Sequence, residues 1–77
     1  MNTEAITFTA DRAEAYAARQ NAPFSMGSIA NLIRYAKGPE GIRWIAENCE
    51  AQAANQERDD HAAQFRVLAK RLRRAAV

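Results

Sequence analysis

The segment "AANQERDDHAA", residues 53–63, separates two apolar stripes and decides how the C-terminal half of the chain folds. Before it, apolar residues recur at helical spacing: Ile42, Ile45, Ala46, Cys49 and Ala53. After it, a second stripe has the same spacing: Phe65, Leu68, Ala69 and Leu72. At about 100° per residue, a straight helix would turn about 140° beyond whole turns between Ile42 and Phe65, so the two stripes would point in different directions.

Two arrangements of the C-terminal half satisfy both stripes. In one, the polar residues 55–60 break the helix into a hairpin, which gives four short helices. In the other, one long helix over about 40–75 uses one apolar face inside the subunit and the other between subunits. Because the chain has no Gly or Pro after Gly41, continuity is favoured. We therefore predict an all-α fold of three helices with a long C-terminal helix, and keep the hairpin near 55–60 as the alternative.

The two halves of this region carry opposite charge. Residues 39–60 hold six carboxylates and two arginines, a net charge of −4, whereas residues 61–77 hold five basic residues and no acidic one, a net charge of +5. Laid antiparallel, within one chain or between two, the halves attract. Since 18 of the apolar residues are alanine and only 19 are larger, the core is small. We predict a homodimer through Phe65, Leu68 and Leu72.

The N-terminal half predicts an arm followed by two helices. "AITFT" alternates apolar and polar residues, which indicates an extended arm over 1–8, with Thr9 capping a helix over about 10–20. Pro23 interrupts that helix, and the next one runs over about 25–37. Gly38 and Pro39 mark a corner into the following helix. The whole chain, 1–77, is predicted to be a single helical domain.

The sequence contains no motif for catalysis or for a bound group. It has no phosphate-binding glycine loop, no CxxC pair and no HExxH. One Cys and one His cannot build a structural zinc site, and Cys49 lies in an apolar stripe, where a core thiol is expected. Asp60 and His61 are neighbours that do not face each other on a helix, which predicts a solvated histidine. We expect no enzyme activity, no cofactor and no metal.

The composition also bears on location and origin. No run of about 18 apolar residues could cross a bilayer, and the first twenty residues lack the layout of a signal peptide. A cytoplasmic protein without a membrane partner is the expectation. Nine of the eleven basic residues are arginine, and with the excess of alanine this is typical of GC-rich coding, which predicts a bacterial or phage origin.

Two features are the candidates for partner binding. Trp44 lies about half a turn away from the Ile42–Cys49 stripe, so it is either covered by the first two helices or exposed as an interface anchor. The C-terminal helix is amphipathic and strongly basic. The residues assigned to partner binding are Trp44, Arg66, Lys70, Arg71, Arg73 and Arg74.

Two classes of function use these residues. A basic helix needs only an acidic protein surface, whereas nucleic-acid binding is disfavoured by a net charge of only +2 and by a tail without aromatic residues. A helix-turn-helix over 27–48 would begin its second helix with Glu40, leaving Arg43 to reach a base. We predict a small non-enzymatic regulator or inhibitor that occupies a surface of a larger protein. The alternative is a DNA-binding transcriptional regulator that uses the basic C-terminal helix.

Overall fold

The computed structural model describes all 77 residues, which form four helices and no strand. The helices are α1 (Thr3–Ala17), α2 (Ser25–Tyr35), α3 (Gly38–Ala54) and α4 (Asp59–Ala75). The all-α prediction is confirmed. Of the two arrangements for the C-terminal half, the hairpin is correct and the long helix over 40–75 is wrong.

The α3–α4 loop forms without a glycine or a proline. At the end of α3, the N–H groups of Asn55 and Gln56 donate to carbonyls only three residues back, at 3.1 and 3.3 Å, which tightens the last turn. Arg58 is then extended, with φ −91° and ψ 131°. No residue in the loop has a positive φ, so ordinary side chains suffice. The absence of Gly and Pro, which favoured one long helix, therefore carried no information here.

Acidic residues start α4. Asp59 and Asp60 lie in its first turn, where negative charge is favourable at the positive end of the helix dipole. The Asp60 carboxylate accepts the backbone N–H of His61 at 2.9 Å and is bound by both Nε and Nη2 of Arg58. The Arg58 guanidinium lowers the pKa of Asp60. These local bonds favour a helix start at Asp59 over continuation of α3.

The hairpin turns the two apolar stripes toward each other. Phe65, Leu68 and Leu72 are buried within a single chain, in one core with the α3 stripe. Their assignment to a subunit interface is therefore corrected: they are core residues. The attraction predicted between the oppositely charged halves occurs inside the chain, where Arg73 Nη2 of α4 lies 2.5 Å from Glu50 Oε1 of α3.

The predicted N-terminal arm is also wrong, because α1 begins at Thr3. The side-chain oxygen of Asn2 accepts the N–H of Ala5 at 3.0 Å, which caps the helix. Thr9 is not a cap but lies buried in mid-helix, and its hydroxyl donates to the carbonyl of Ala5 at 2.7 Å. Ile6 is buried and Phe8 is half exposed, so the stretch that alternates in sequence is helical, with its two apolar residues on different faces.

The four helices pack in a ring, each against the helix before and after it, and α4 closes the ring on α1. The α1–α4 pair is antiparallel. The N–H of Asn2 donates to the carbonyl of Ala75 at 2.8 Å at one end, and the rings of Tyr16 and His61 meet edge to face at the other. As a result, the α1–α4 and α2–α3 grooves lie on opposite sides of the molecule.

Candidate partner-binding surfaces

Trp44 is exposed on the outer side of α3, with 57% of its surface accessible. The buried stripe of α3 points into the bundle, and Trp44 is displaced from it by about half a turn. The side-chain amide of Asn48 donates to the Trp44 carbonyl at 3.0 Å. Of the two alternatives that the sequence left open for Trp44, exposure is correct and cover by α1 and α2 is wrong, while its role in binding stays a prediction.

The register of α2 against α3 places further apolar residues near Trp44. Ser25 Oγ of α2 donates to Gln52 Oε1 of α3 at 2.9 Å at the open end of the pair, and at the corner between the helices the Cβ of Ala36 lies near Gly41. On α2, Leu32 lies seven residues after Ser25 and four before Ala36, so it shares the ridge that faces α3. On α3, Trp44 lies between Gly41 and Asn48, beside the facing ridge.

Tyr35 lies one turn from Leu32 and is 81% exposed. Leu32 itself is 41% exposed. We call Leu32, Tyr35 and Trp44 the apolar edge. Its members are three large, exposed side chains on the two helices that border the α2–α3 groove.

The structure separates the five basic residues of α4 instead of presenting them as one cluster. Arg73 turns toward α3, and its hydrogen bond with Glu50 raises the pKa of Arg73. Arg71 turns toward α1, where its Cζ lies 5.4 Å from the centroid of the Phe8 ring. Arg66 and Lys70 are exposed and form no ion pair within the chain. Trp44, on the α2–α3 side, is not part of this group.

A second surface forms where α1 meets α4, around Phe8. The Phe8 ring is half exposed, and Arg12 Cζ lies 5.7 Å from its centroid. Next to the ring is an open cleft of about 190 Å³, whose lining residues include Asn2, Arg71 and Arg74. Lys70 borders the same surface beside Arg71 and Arg74.

We call Arg12, Lys70, Arg71 and Arg74, with Phe8 among them, the basic face. Phe8 and Arg12 were missed from the sequence because residues 1–8 were interpreted as an arm. On a helix that begins at Thr3, their spacing of four residues places them on one face. The signal that could have found them is Asn2 followed by Glu4, a cap and a first-turn acid.

The residues considered for chemistry are held in structural roles. His61 is buried, and its ring packs edge to face on Tyr16 with 5.9 Å between centroids, so the expectation of a solvated histidine is wrong. Asp60 bonds the backbone N–H of His61, not its ring. Cys49 is buried as expected, and burial raises the pKa of its thiol to about 12, which keeps it protonated and unreactive near neutral pH.

Two kinds of structural feature are absent from the four helices. No cluster of three or more His, Cys, Asp or Glu side chains is arranged to hold a metal ion. None of the four helices combines the length and the hydrophobicity that crossing a bilayer requires.

Comparisons of the chain with protein-family models, with curated proteins and with solved structures found no match.

Proposed function

We propose that this chain is a non-enzymatic regulator or inhibitor, of bacterial or phage origin, that acts by occupying a surface of a larger protein. The exposed Trp44 within the apolar edge is the observation that carries the proposal. Tryptophan and tyrosine are enriched among the residues that dominate binding energy at protein interfaces. Leaving such a ring in water forgoes about 1.5–3 kcal/mol of burial free energy, and a partner would recover it.

The surroundings of Trp44 support a protein as the occupant. Arg43 and Glu47 are exposed beside it on α3, and Glu40 is one turn away. An apolar anchor within a rim of mixed charge is the usual anatomy of a protein interface. We propose that the indole of Trp44 enters an apolar pocket of the partner and that the charged residues form the rim.

The homodimer expected from the sequence stays a prediction, and its proposed interface changes. Phe65, Leu68 and Leu72 are inside each chain, so a second copy would have to cover the apolar edge instead. A homodimer through Trp44 and a complex with a larger protein compete for the same surface. Substitution at Trp44 weakens both, and sedimentation of the free protein separates them.

The test is capture of the partner with wild-type protein and two variants. Trp44→Ala removes the anchor, and Phe24→Ala removes an aromatic side chain that is fully exposed in the α1–α2 loop, away from the apolar edge. We expect one protein from a GC-rich bacterial lysate to be retained by the wild type and by Phe24→Ala but lost with Trp44→Ala. In titration with the purified partner, Trp44→Ala should cost about 2 kcal/mol or more, about a 30-fold loss of affinity.

Thermal unfolding serves as the control, since removing an exposed side chain should leave the melting temperature almost unchanged. Equal binding by the wild type and Trp44→Ala would exclude the apolar edge as the binding surface. Unfolding of Trp44→Ala would make Trp44 a structural residue.

A further inference from the structure

The positive charges of the basic face are not neutralised by ion pairs within the chain. The chain forms its ion pairs through Arg34, Arg58 and Arg73. None of the four cations of the basic face takes part in one, and α4 has no acidic residue after Asp60. The α4 part of this side therefore carries only positive charge, on a molecule whose net charge is only +2. On the α1 part, Glu4 and Asp11 line an open cleft with Phe8, and Asp11 is already paired with Arg34.

Phe8 holds two of these cations in position. Arg12 and Arg71 come from different helices, and both guanidinium groups lie within 6 Å of the centroid of the same ring, the range of an attractive cation–π contact. A guanidinium held in this way loses less freedom when it binds an anion. Arg74 shares the cleft with Arg71, so two planar donor groups converge there.

The spacing of the cations fits an anion that repeats. Lys70 and Arg74 lie one helical turn apart, about 6 Å along α4, and Arg12 of α1 shares the Phe8 ring with Arg71. The backbone of a nucleic acid presents one identical anion after another, and arginine forks match the oxygens of a phosphate. An acidic protein surface would instead interleave carboxylates with neutral and basic groups.

Phe8 also answers the main objection to nucleic-acid binding that the sequence raised. The C-terminal helix has no aromatic residue after Phe65, but α1 supplies one at the centre of the basic face. A half-exposed ring among cations can contact a sugar or an unpaired base while the guanidinium groups bind phosphates.

We propose that the α1–α4 side of the bundle binds the phosphate backbone of a nucleic acid, independently of base sequence, through Arg12, Lys70, Arg71 and Arg74 around Phe8. The apolar edge lies on the opposite side of the ring of helices, so this site remains open when a protein occupies Trp44. The proposal does not depend on the function proposed above, because Trp44→Ala leaves the basic face intact.

The experiment measures binding of the full chain to a fluorescein-labelled DNA, as a duplex and as a single strand, by anisotropy between about 50 and 200 mM salt. Four phosphate contacts predict a slope of about −3.6 in a log–log plot for the duplex, at about −0.9 per contact, which is about a 150-fold loss of affinity over this range. Arg71→Ala with Arg74→Ala should reduce the magnitude of that slope by about two.

The matched control is Lys37→Ala with Arg43→Ala, which removes the same charge from two exposed residues that form no ion pair and lie outside α1 and α4. We expect this control to keep the wild-type slope. An equal reduction of the slope in both double variants would show that DNA binding depends on the net charge and not on the basic face. That result would overturn the proposal. Absence of salt-dependent binding would overturn it as well.

Two more measurements address the ring and the class of ligand. Phe8→Ala keeps every charge, so we expect the slope to stay the same and the affinity for the single strand to fall at least about fivefold. An unchanged affinity would remove Phe8 from the site. Poly-glutamate at a matched concentration of charge should fail to displace the DNA. If it did displace the DNA, the ligand of the basic face would be an acidic protein and not a nucleic acid.

Discussion

At the scale of single residues, burial decided which side chains are structural. Thr9 and His61 are the two buried polar residues. The Thr9 hydroxyl donates to the carbonyl of Ala5, and the His61 ring packs on Tyr16. Their roles could not be predicted from the sequence, because both depend on where α1 begins and on α1 packing against α4. The position of Trp44 half a turn from the stripe of α3 could be predicted, because it is a local property of one helix. Its exposure could not, because it depends on whether α1 and α2 cover that side of α3.

The change of Phe65 to a carboxylate distinguishes a core residue from an interface residue. Phe65 is fully buried within one chain, so Phe65→Asp places a charge among apolar side chains and should destabilise the fold by about 4 kcal/mol or more. We expect the variant to be unfolded, or to melt far below the wild type, in circular dichroism. Phe24→Asp, at a fully exposed position, is the control and should melt like the wild type. A folded monomeric Phe65→Asp would return this residue to a subunit interface.

The thiol of Cys49 predicts a specific loss of stability at high pH. Burial raises its pKa from 9.0 to about 12 in the folded chain, so the folded state holds the proton more tightly than the unfolded state. The stabilisation is therefore complete below pH 9 and is lost as the pH rises from 9 toward 12, by up to about 1.4 kcal/mol per pH unit. Urea unfolding at several pH values should show a steeper decline for the wild type than for Cys49→Ala. Since both proteins share their Tyr and Lys residues, parallel declines would contradict this account.

At the scale of the elements, the sequence predicted helices well where the break needs a special residue. Pro23 and Gly38, with φ 75°, do mark the two breaks, although α1 already ends at Ala17 and Gly38 is itself the first residue of α3. The α3–α4 break needs no such residue, because its loop uses only common backbone conformations and is favoured by polar side chains that bond the local backbone. The apolar stripes favoured the hairpin, because two stripes that point in different directions on a straight helix face each other in a hairpin.

The start of α1 can be tested by removing its cap. Asn2 accepts the N–H of Ala5 through its side chain, so Asn2→Ala should destabilise the fold by about 1 kcal/mol, which lowers the melting temperature of a domain of this size by about 4–8 °C. Asn2→Asp keeps the acceptor and should melt near the wild type. If residues 1–8 formed an extended arm, Asn2→Ala would leave the melting temperature unchanged.

At the scale of the whole molecule, the ring of four helices creates two faces of different chemistry. The residues assigned to partner binding from the sequence were treated as one set, but Trp44 faces the α2–α3 side and Arg71 the α1–α4 side. Arg73 faces neither, because Glu50 neutralises it. This separation cannot be predicted from the sequence of any one helix, because it depends on which helices are neighbours. The same holds for Phe8 and Arg12, which become part of a basic surface only when α4 lies beside them.

The fold of one chain should not depend on a second copy. The large buried side chains form one core within one chain, so unfolding should be a single cooperative transition whose midpoint does not move over about a hundredfold range of protein concentration. An obligate dimer would instead melt at a higher temperature as the concentration increases. Sedimentation of the same samples completes the test: any self-association should be abolished by Trp44→Ala while the melting temperature stays the same, since the apolar edge lies outside the core. A midpoint that rises with concentration would show that subunit contacts hold the fold together.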